Sequence, residues 1–534
     1  MSQLNNHMSW WQEVSNSTDQ TVAVVIVSAL ILAIVWYKST LSSSSNGAPP
    51  LPPGPRSLPI VGYLPFLSRD LHKQFTNMAH TYGPIFKLKL GSKLHIVINT
   101  PELAKVVLRD QDDTFANHDL TVAASIITYG GQDIIFSKNN AYWRNLRKLF
   151  VHEALSNKNL EACSSFRRDE VRKTIKNVFS QIGSRINITE ISFLTEANVL
   201  TSMVWGNTSS KEGEDGLLEA ELQEISVNVN EIFGRANLSD FFTIFKWFDF
   251  QGVKRDMKKQ LQKFDQIMDR IIEDRIESNS DTLHNGIYDH GGKKDFLQIL
   301  LDLKNKEDSK PLNMTQIKAL ILDIMTAGTE TTSTLIEWAG AEIMRNQNVM
   351  KRVQNELEEV VGLNNMVEES HLPKLKYLDA VIKETHRLHL VVPFMIPRSP
   401  SKACVVGGYT IPEGSTVLLN AWAIHRDPNY WDNPLEFDPD RFLTDHLDTK
   451  KWDYKGNATM TYFPFGSGRR LCAGLPLAEK MQMLILASLF HSFSWRLPEG
   501  EEHDLSERFG FTIKKRNPLI AVPSQRLTDV SLYM

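Results

Sequence analysis

At 534 residues, 42% hydrophobic and 23% charged, the chain can bury a large core and hold one big domain or several. A formal net charge of −4 gives no global argument for a nucleic-acid partner. Three cysteines, Cys163, Cys404 and Cys472, are too few and odd in number for a disulfide framework, and they fit a reducing compartment.

Residues 21–37, TVAVVIVSALILAIVWY, run for 17 residues without a charge. That is the short end for a membrane-spanning helix, with Trp36 and Tyr37 placed as interfacial anchors. The first twenty residues carry Glu13 and Asp19 and no Lys or Arg, so the charged start of a cleaved signal peptide is missing. Lys38 and Arg56 follow, and the positive-inside rule puts residues 1–20 in the lumen and the bulk of the chain in the cytosol. The expectation is an uncleaved signal anchor at 21–37, with Asn16-Ser17-Thr18 as a lumenal glycosylation sequon. Residues 38–62 hold Ser42–Ser45, Gly47 and APPLPPGPRSLPIVG, a stiff spacer before a folded domain at 63–534.

IFKLKLGSKLHIVIN (85–99) predicts a β-hairpin turning at Gly91-Ser92, and PELAKVVLR (101–109) a helix with proline in its first turn. His118–Ile135, with Gly130 and Gly131, reads as a long irregular segment of the kind that forms lids. AYWRNLRKLF (141–150) begins an amphipathic helix with Trp143 and Arg147 on one face. Residues 155–310 read as amphipathic helices and polar loops, among them 209–216 and 278–295.

NMTQIKALILDIMTAGTETTSTLIEWAGAEIMR (313–345) predicts a helix on the order of 45–50 Å long that crosses the core, opened by a capping box of Asn313 and Gln316. Mid-helix AGTETT (327–332) places an acid and hydroxyls where burial is costly without a purpose. KETHRL (383–388) sets Glu384 and Arg387 on one helical face. FDPDRF (437–442) contributes Arg441, and AWAIHRDP (421–428) contributes His425. Residues 500–523 read as a closing hairpin turning at Phe509–Thr512.

PFGSGRRLCAG (464–474) matches F-x-x-G-x-R-x-C-x-G at Phe465, Gly468, Arg470, Cys472 and Gly474. The G-K-[ST] ending of a phosphate loop is absent. Gly466 and Gly468 permit positive backbone angles. A cysteine just ahead of a helix gains dipole potential and N–H donors that lower its pKa.

This loop, with A-G-T-E-T-T and E-x-x-R, resembles the haem-thiolate signature of the cytochrome P450 superfamily, and the resemblance runs from the proline stretch to the C-terminus. It implies a mainly α fold with a small β-rich region after an N-terminal transmembrane helix. It also implies haem b with Cys472 as the axial iron ligand, which favours O–O cleavage. By the same resemblance Trp143, Arg147, Arg398 and His425 hold haem propionates, and Phe465, Arg470 and Gly474 shape the cysteine loop. Ala327 and Gly328 leave room for oxygen, Thr331 is the activating hydroxyl, and Glu330 relays protons from solvent. Glu384, Arg387 and Arg441 form a buried structural network. Asp440 stands where the family commonly has Glu.

The stretches GPIFKLKLGSKLHIVI, KKDFLQILLDLK and LAEKM look closest to a plant clan that includes sesquiterpene hydroxylases. The implied reaction is hydroxylation with O₂ and electrons from NADPH through a separate reductase, since no flavin or nicotinamide fingerprint is present. The reductase would dock at Arg144, Lys148 and Arg469, with cytochrome b5 a second candidate partner, at the endoplasmic reticulum membrane. Leu390 and Val391 replace two prolines common in plant relatives. Ile126, Ile127, Ile324, Val392, Phe394, Met395 and Phe511 are candidate pocket residues, and their apolar character favours a sesquiterpene or monoterpene. Phenolic substrates stay open, as does an aldoxime or hydroperoxide isomerase or dehydratase that needs no O₂. A haem sensor and a cysteine nucleophile are weaker readings.

Overall fold

The computed structural model describes residues 22, 24–31, 34, 49–206, 214–285, 295–304, 312–443 and 452–534. Its axle is the long apolar run. Asn313 Oδ1 accepts the Gln316 N–H at 2.8 Å, and Gln316 Oε1 accepts the Asn313 N–H at 2.9 Å, which completes the expected capping box. The helix runs over Met314–Asp323, widens by a π turn at Ile324–Gly328, and continues over Thr329–Arg345. From Thr332 to Met344 every residue is buried. The apolar helices Ile188–Trp205 and Leu475–Ser492 pack against it, so three helices hydrophobic nearly all round share one core.

β-Structure is confined to small sheets. The expected hairpin forms between Ile85–Leu90 and Lys93–Ile98. Thr416–Leu419 pairs in parallel with its second strand, then Arg398–Ser399 and Asn117–His118 complete five strands. The C-terminal hairpin pairs Glu507 with Lys515 and Arg508 with Lys514.

Two expectations change. The 118–135 segment is not irregular throughout: Thr121 Oγ1 caps a helix at Val122–Ile127 by accepting the Ala124 N–H at 3.1 Å. The proline stretch is fastened to the body. Pro53 O accepts the Lys87 N–H at 2.8 Å, and Pro50 O accepts the Thr410 N–H at 2.9 Å.

Of the expected span 21–37, residues 22, 24–31 and 34 are helical and exposed where described. Among the described residues no helix is long and apolar enough to cross a membrane. The Asn16 sequon, Trp36, Tyr37, Lys38, the Ser42–Ser45 linker and much of the two polar loops lie outside the described residues.

Candidate active site

The cysteine loop is tied across its base by the Cys472 N–H, which donates to Phe465 O at 3.1 Å. Gly468 is required twice over. Its φ is +71°, and a Cβ there would lie 2.3 Å from Leu108 O. The Phe465 ring packs on His386 and Tyr454 at 5.0 and 5.6 Å.

Cys472 has accessible surface although it lies deep among protein atoms, so it faces an internal space rather than bulk water. Burial pushes its thiol up, against the pull of the Gly474 and Leu475 N–H groups and the Arg147 guanidinium. Those N–H groups open the helix Leu475–Ser492, whose dipole end meets the sulfur. Burial would therefore keep the group a thiol until a cation replaces the proton.

Beside the sulfur lies a cluster of cations. Arg147 donates to Leu471 O. Arg470 donates to Ala116 O at 2.6 Å and to Ile134 O at 3.2 Å, with its guanidinium 3.9 Å from the Trp143 ring centre. Arg398 is buried, its two bonds are long at 3.4 and 3.5 Å, and its Nε has no partner. Burial and mutual repulsion push Arg470 down to about 9, and burial with Arg147 pushes Arg398 down to about 10, against the pull of Asp112. Among the described residues none of the three forms an ion pair. Buried cations that depress one another and leave a donor free call for an anion. The paired carboxylates of a haem would meet that need, beside the Cys472 sulfur.

The structure brings Trp143 to this cluster in a different role. Its Nε1 donates to Ile134 O at 2.9 Å, so it braces the 133–137 loop under Arg470. His425 is set apart. Its Nε2 accepts the Phe463 N–H at 3.1 Å, and its charged neighbours are Arg426 and Arg387 rather than the three arginines. With Nε2 accepting, the ring proton sits on Nδ1, which is buried and has no hydrogen-bond partner among the described residues.

Ala327 is exposed in the middle of a buried helix, and Thr331 is half-buried with Oγ1 donating to Ala327 O at 2.7 Å. Their exposure within a buried helix opens them to a space inside the fold. Gly328 lies against a neighbouring helix. A Cβ there would meet Leu200 Cδ1 at 2.8 Å, so its missing side chain serves helix packing. Glu330 is buried and turned to the C-terminal hairpin, where Oε1 accepts from Thr512 Oγ1 at 2.7 Å and Lys514 Nζ at 2.9 Å.

Glu384, Arg387 and Arg441 come together as expected. Arg387 donates twice to Glu384, both at 2.7 Å, and also to His425 O, Pro434 O and Glu436 O. Arg441 Nε reaches Glu384 Oε1 at 3.4 Å. Asp440 turns outward to Arg352 at 2.8 Å.

The pocket candidates divide. Ile126, Ile127, Ile324 and Val392 belong to the main core around the long helix. Phe394 packs instead with Phe75 and Phe509, and Met395 with the five-stranded sheet's core, because the chain reverses at Met395 with φ +54°. Phe511 stacks on Phe233 at 5.5 Å, and Phe233 on Phe136 at 6.0 Å.

Sequence reading missed Phe136, Phe233, His118, Lys514 and the acid pair Asp133 and Asp323. His118 Nδ1 donates to Pro397 O at 2.9 Å, and burial with Arg398 and Arg470 depresses its pKa. None of these stands in a spacing pattern; only the pairing of distant segments reveals them.

A helical body with small sheets, a recessed thiol and an anion cradle define a haem-thiolate protein. The family profile described as Cytochrome P450 matches residues 52–522. Cytochrome P450 76C1 of Arabidopsis thaliana is 35% identical over 95% of this chain and 99% of its own. A flavonoid 3',5'-hydroxylase of Solanum melongena is 35% identical over 94% of this chain and 97% of its own. A zebra fish cytochrome P450 solved with abiraterone aligns at TM-score 0.70 and 25% identity, over 85% of this chain and 99% of that one. The chain belongs to the cytochrome P450 family, as a plant member and a monooxygenase.

Proposed function

We propose that this protein is a microsomal monooxygenase that hydroxylates a small hydrophobic plant metabolite, a sesquiterpene or monoterpene. The observations that support the reading are the recessed Cys472 sulfur beside the arginine cluster and the exposure of Ala327 and, in part, Thr331 within an otherwise buried helix. Haem b, ligated by Cys472, supplies the oxygen-activating chemistry when bound. Arg147, Arg398 and Arg470 hold its propionates, and Gly474 and Leu475 N–H groups steady the thiolate. Thr331 Oγ1 presents a hydroxyl to the reacting face, and Glu330 brings protons from solvent. Apolar walls exclude water, which keeps delivered protons from being wasted.

NADPH acts through a separate reductase that docks on exposed Arg144, Lys148 and Arg469; cytochrome b5 is a second donor for the same face. Contact with such an acidic partner weakens with salt. Residues 1–20 form a lumenal tail, 21–37 an anchor in the endoplasmic reticulum membrane, 38–62 a hinge and 63–534 the catalytic domain. In support, Ile244, Trp247, Phe248 and Phe250 lie exposed, Trp247 at 90%, in a segment whose Phe241 O is held by Ser92. Ile60, also exposed, neighbours the same turn, where Gly91 N donates to Val61 O. Such a patch on the hinge side suits a lipid surface.

A second reading has its own observation. The Phe136–Phe233–Phe511 stack offers ring faces to a planar aromatic substrate, and flavonoid hydroxylases are among the relatives.

The test is turnover in microsomes with a plant reductase, comparing terpenes with flavonoids, with and without NADPH. Terpene oxygenation that needs NADPH supports the first reading; flavonoid oxygenation alone replaces it with the second. Cys472→Ala should abolish the red-shifted band of the reduced, CO-bound protein, and survival of that band would sink the ligand assignment. Thr331→Ala should divert electrons from product to peroxide; unchanged coupling would remove its role.

A further inference from the structure

Asn230 lies near the end of the helix Glu214–Phe233, one turn before Phe233 and on the same face. Phe233 is the middle ring of the Phe136–Phe233–Phe511 stack. The Asn230 side chain reaches the π turn of the long helix, where Nδ2 donates to Thr326 O at 3.4 Å. The next residue of that turn is Ala327, which is exposed inside the fold. The amide thus stands between the ring stack and the open stretch of the long helix.

This amide is poorly satisfied. Its hydrogen bond is at the outer limit of length, and Oδ1 takes no hydrogen bond among the described residues. Thr326 O settles which end of the amide is which, since an oxygen set against that carbonyl would repel it. Oδ1 is therefore a free acceptor, and a half-buried amide beside aromatic rings is costly until something completes it. Threonines on the facing turn do not. Thr326 Oγ1 gives its hydrogen to Leu322 O at 2.7 Å, and Thr329 Oγ1 gives its own to Met325 O at 2.8 Å. Both turn back onto their own backbone, so the missing hydrogen has to come from a ligand.

We infer that Asn230 is a specificity-determining residue: Oδ1 accepts the hydrogen of a hydroxyl on the substrate, whose apolar skeleton lies against the Phe233 ring stack. The inference rests on the monooxygenase reading and deepens it, because it names a functional group that the substrate already carries. That substrate is an alcohol or a phenol rather than a bare hydrocarbon. A hydroxyl brings the hydrogen that Oδ1 lacks, whereas an ether of the same skeleton brings none. Spacing adds a second limit. Helix positions three apart hold their Cβ atoms about 5–6 Å from each other, so the hydroxyl lies close to the carbons that touch Phe233. A terpenoid alcohol and a hydroxylated flavonoid both offer this chemistry, and the experiment separates them.

The experiment titrates the ferric holoenzyme with matched probes and reads the change each makes in the haem absorption, with no turnover required. One series is farnesol, farnesyl methyl ether and farnesene. The other is a mono-hydroxylated flavanone, its methyl ether and flavanone. In the series to which the substrate belongs, the hydroxyl compound should bind about tenfold more tightly than its ether or its unsubstituted parent. Asn230→Leu should erase that preference by weakening the hydroxyl compound alone, with the parent's affinity held within about twofold. Asn230→Gln keeps an acceptor, and the hydroxyl compound should remain the tightest of its series. The reduced CO band should stay at its wild-type position in both variants. An ether or parent that binds wild type as tightly as the hydroxyl compound overturns the inference, whether or not the variants fold. A preference that survives Asn230→Leu overturns it too, as does an equal loss for all three probes, which marks a packing role. Wild type that keeps the expected binding order yet gives no NADPH-dependent product would defeat the monooxygenase reading and leave Asn230 in place.

Discussion

Two acids, Glu384 on the cysteine side and Glu330 on the oxygen side, are both buried in long helices, and they are treated in opposite ways. Glu384 Oε2 takes Arg387 Nε, while Oε1 takes Arg387 Nη2, the Asp438 N–H and Arg441 Nε. Glu330 commits one oxygen to the hairpin and leaves the other without a partner. Nearby, Asp133 also keeps one oxygen free. Glu384, which braces the cysteine side, uses both its oxygens fully, and Glu330 leaves one uncommitted. A saturated polar network is stiff, and an unsaturated one can rearrange.

The contrast breaks hardest at Arg387. Arg387→Ala strands a fully buried carboxylate, at a cost of about 3–5 kcal/mol. Little of the purified protein should then give the reduced CO band, and wild-type haem content would show that the network is dispensable. Gly468→Ala comes next, at about 2–4 kcal/mol, from a positive φ and a backbone clash combined. Thermal melts should show it; an unchanged melting temperature would mean the loop yields easily.

The mildest case lies on the other side and has the opposite sign. Burial raises Asp133 from 3.8 to about 6, and burial with the Asp133 charge raises Asp323 further above its ordinary value. Such groups stabilise the fold fully below their unfolded pKa, and that contribution is lost as pH rises through the folded one. For Asp133 the loss runs from about 4 to about 6, and for Asp323 it continues higher. Asp323→Asn keeps an acceptor for the Ile134 N–H and removes a like charge. It should raise stability at pH 8 by about 1 kcal/mol and by nothing at pH 4. A pH-independent effect would separate the two aspartates.

Much of the cysteine side was readable because its groups lie close in sequence or in a dense motif: F-x-x-G-x-R-x-C-x-G, E-x-x-R, the W-x-x-x-R helix face. The capping box and the hairpin at Gly91-Ser92 were readable for the same reason, since each rests on neighbours. Lys514 was not, because its meaning depends on a hairpin laid against a helix 184 positions earlier, and no local pattern encodes that approach. The His425 motif specifies burial without saying which ring nitrogen is engaged, and here Nε2 takes the Phe463 N–H while Nδ1 has no partner among the described residues. Gly328 was read as space for oxygen, whereas Leu200, from a helix with no motif, takes that space. The π turn at Ile324–Gly328 also left no sign in a smooth apolar run.

That turn acts on the long helix as a slipped thread acts on a screw. A π turn holds one more residue than the α pitch allows, so everything beyond it is rotated by roughly 100° from where an unbroken helix would put it. Asp323 sits just before the slip, bonded to Ile134, and Glu330 and Thr331 just after it. The acid's bearing on the hairpin and the hydroxyl's bearing on the internal space are thus set by that phase offset. Removing one residue from 324–328 would leave the composition nearly intact and aim both groups at the wrong neighbours.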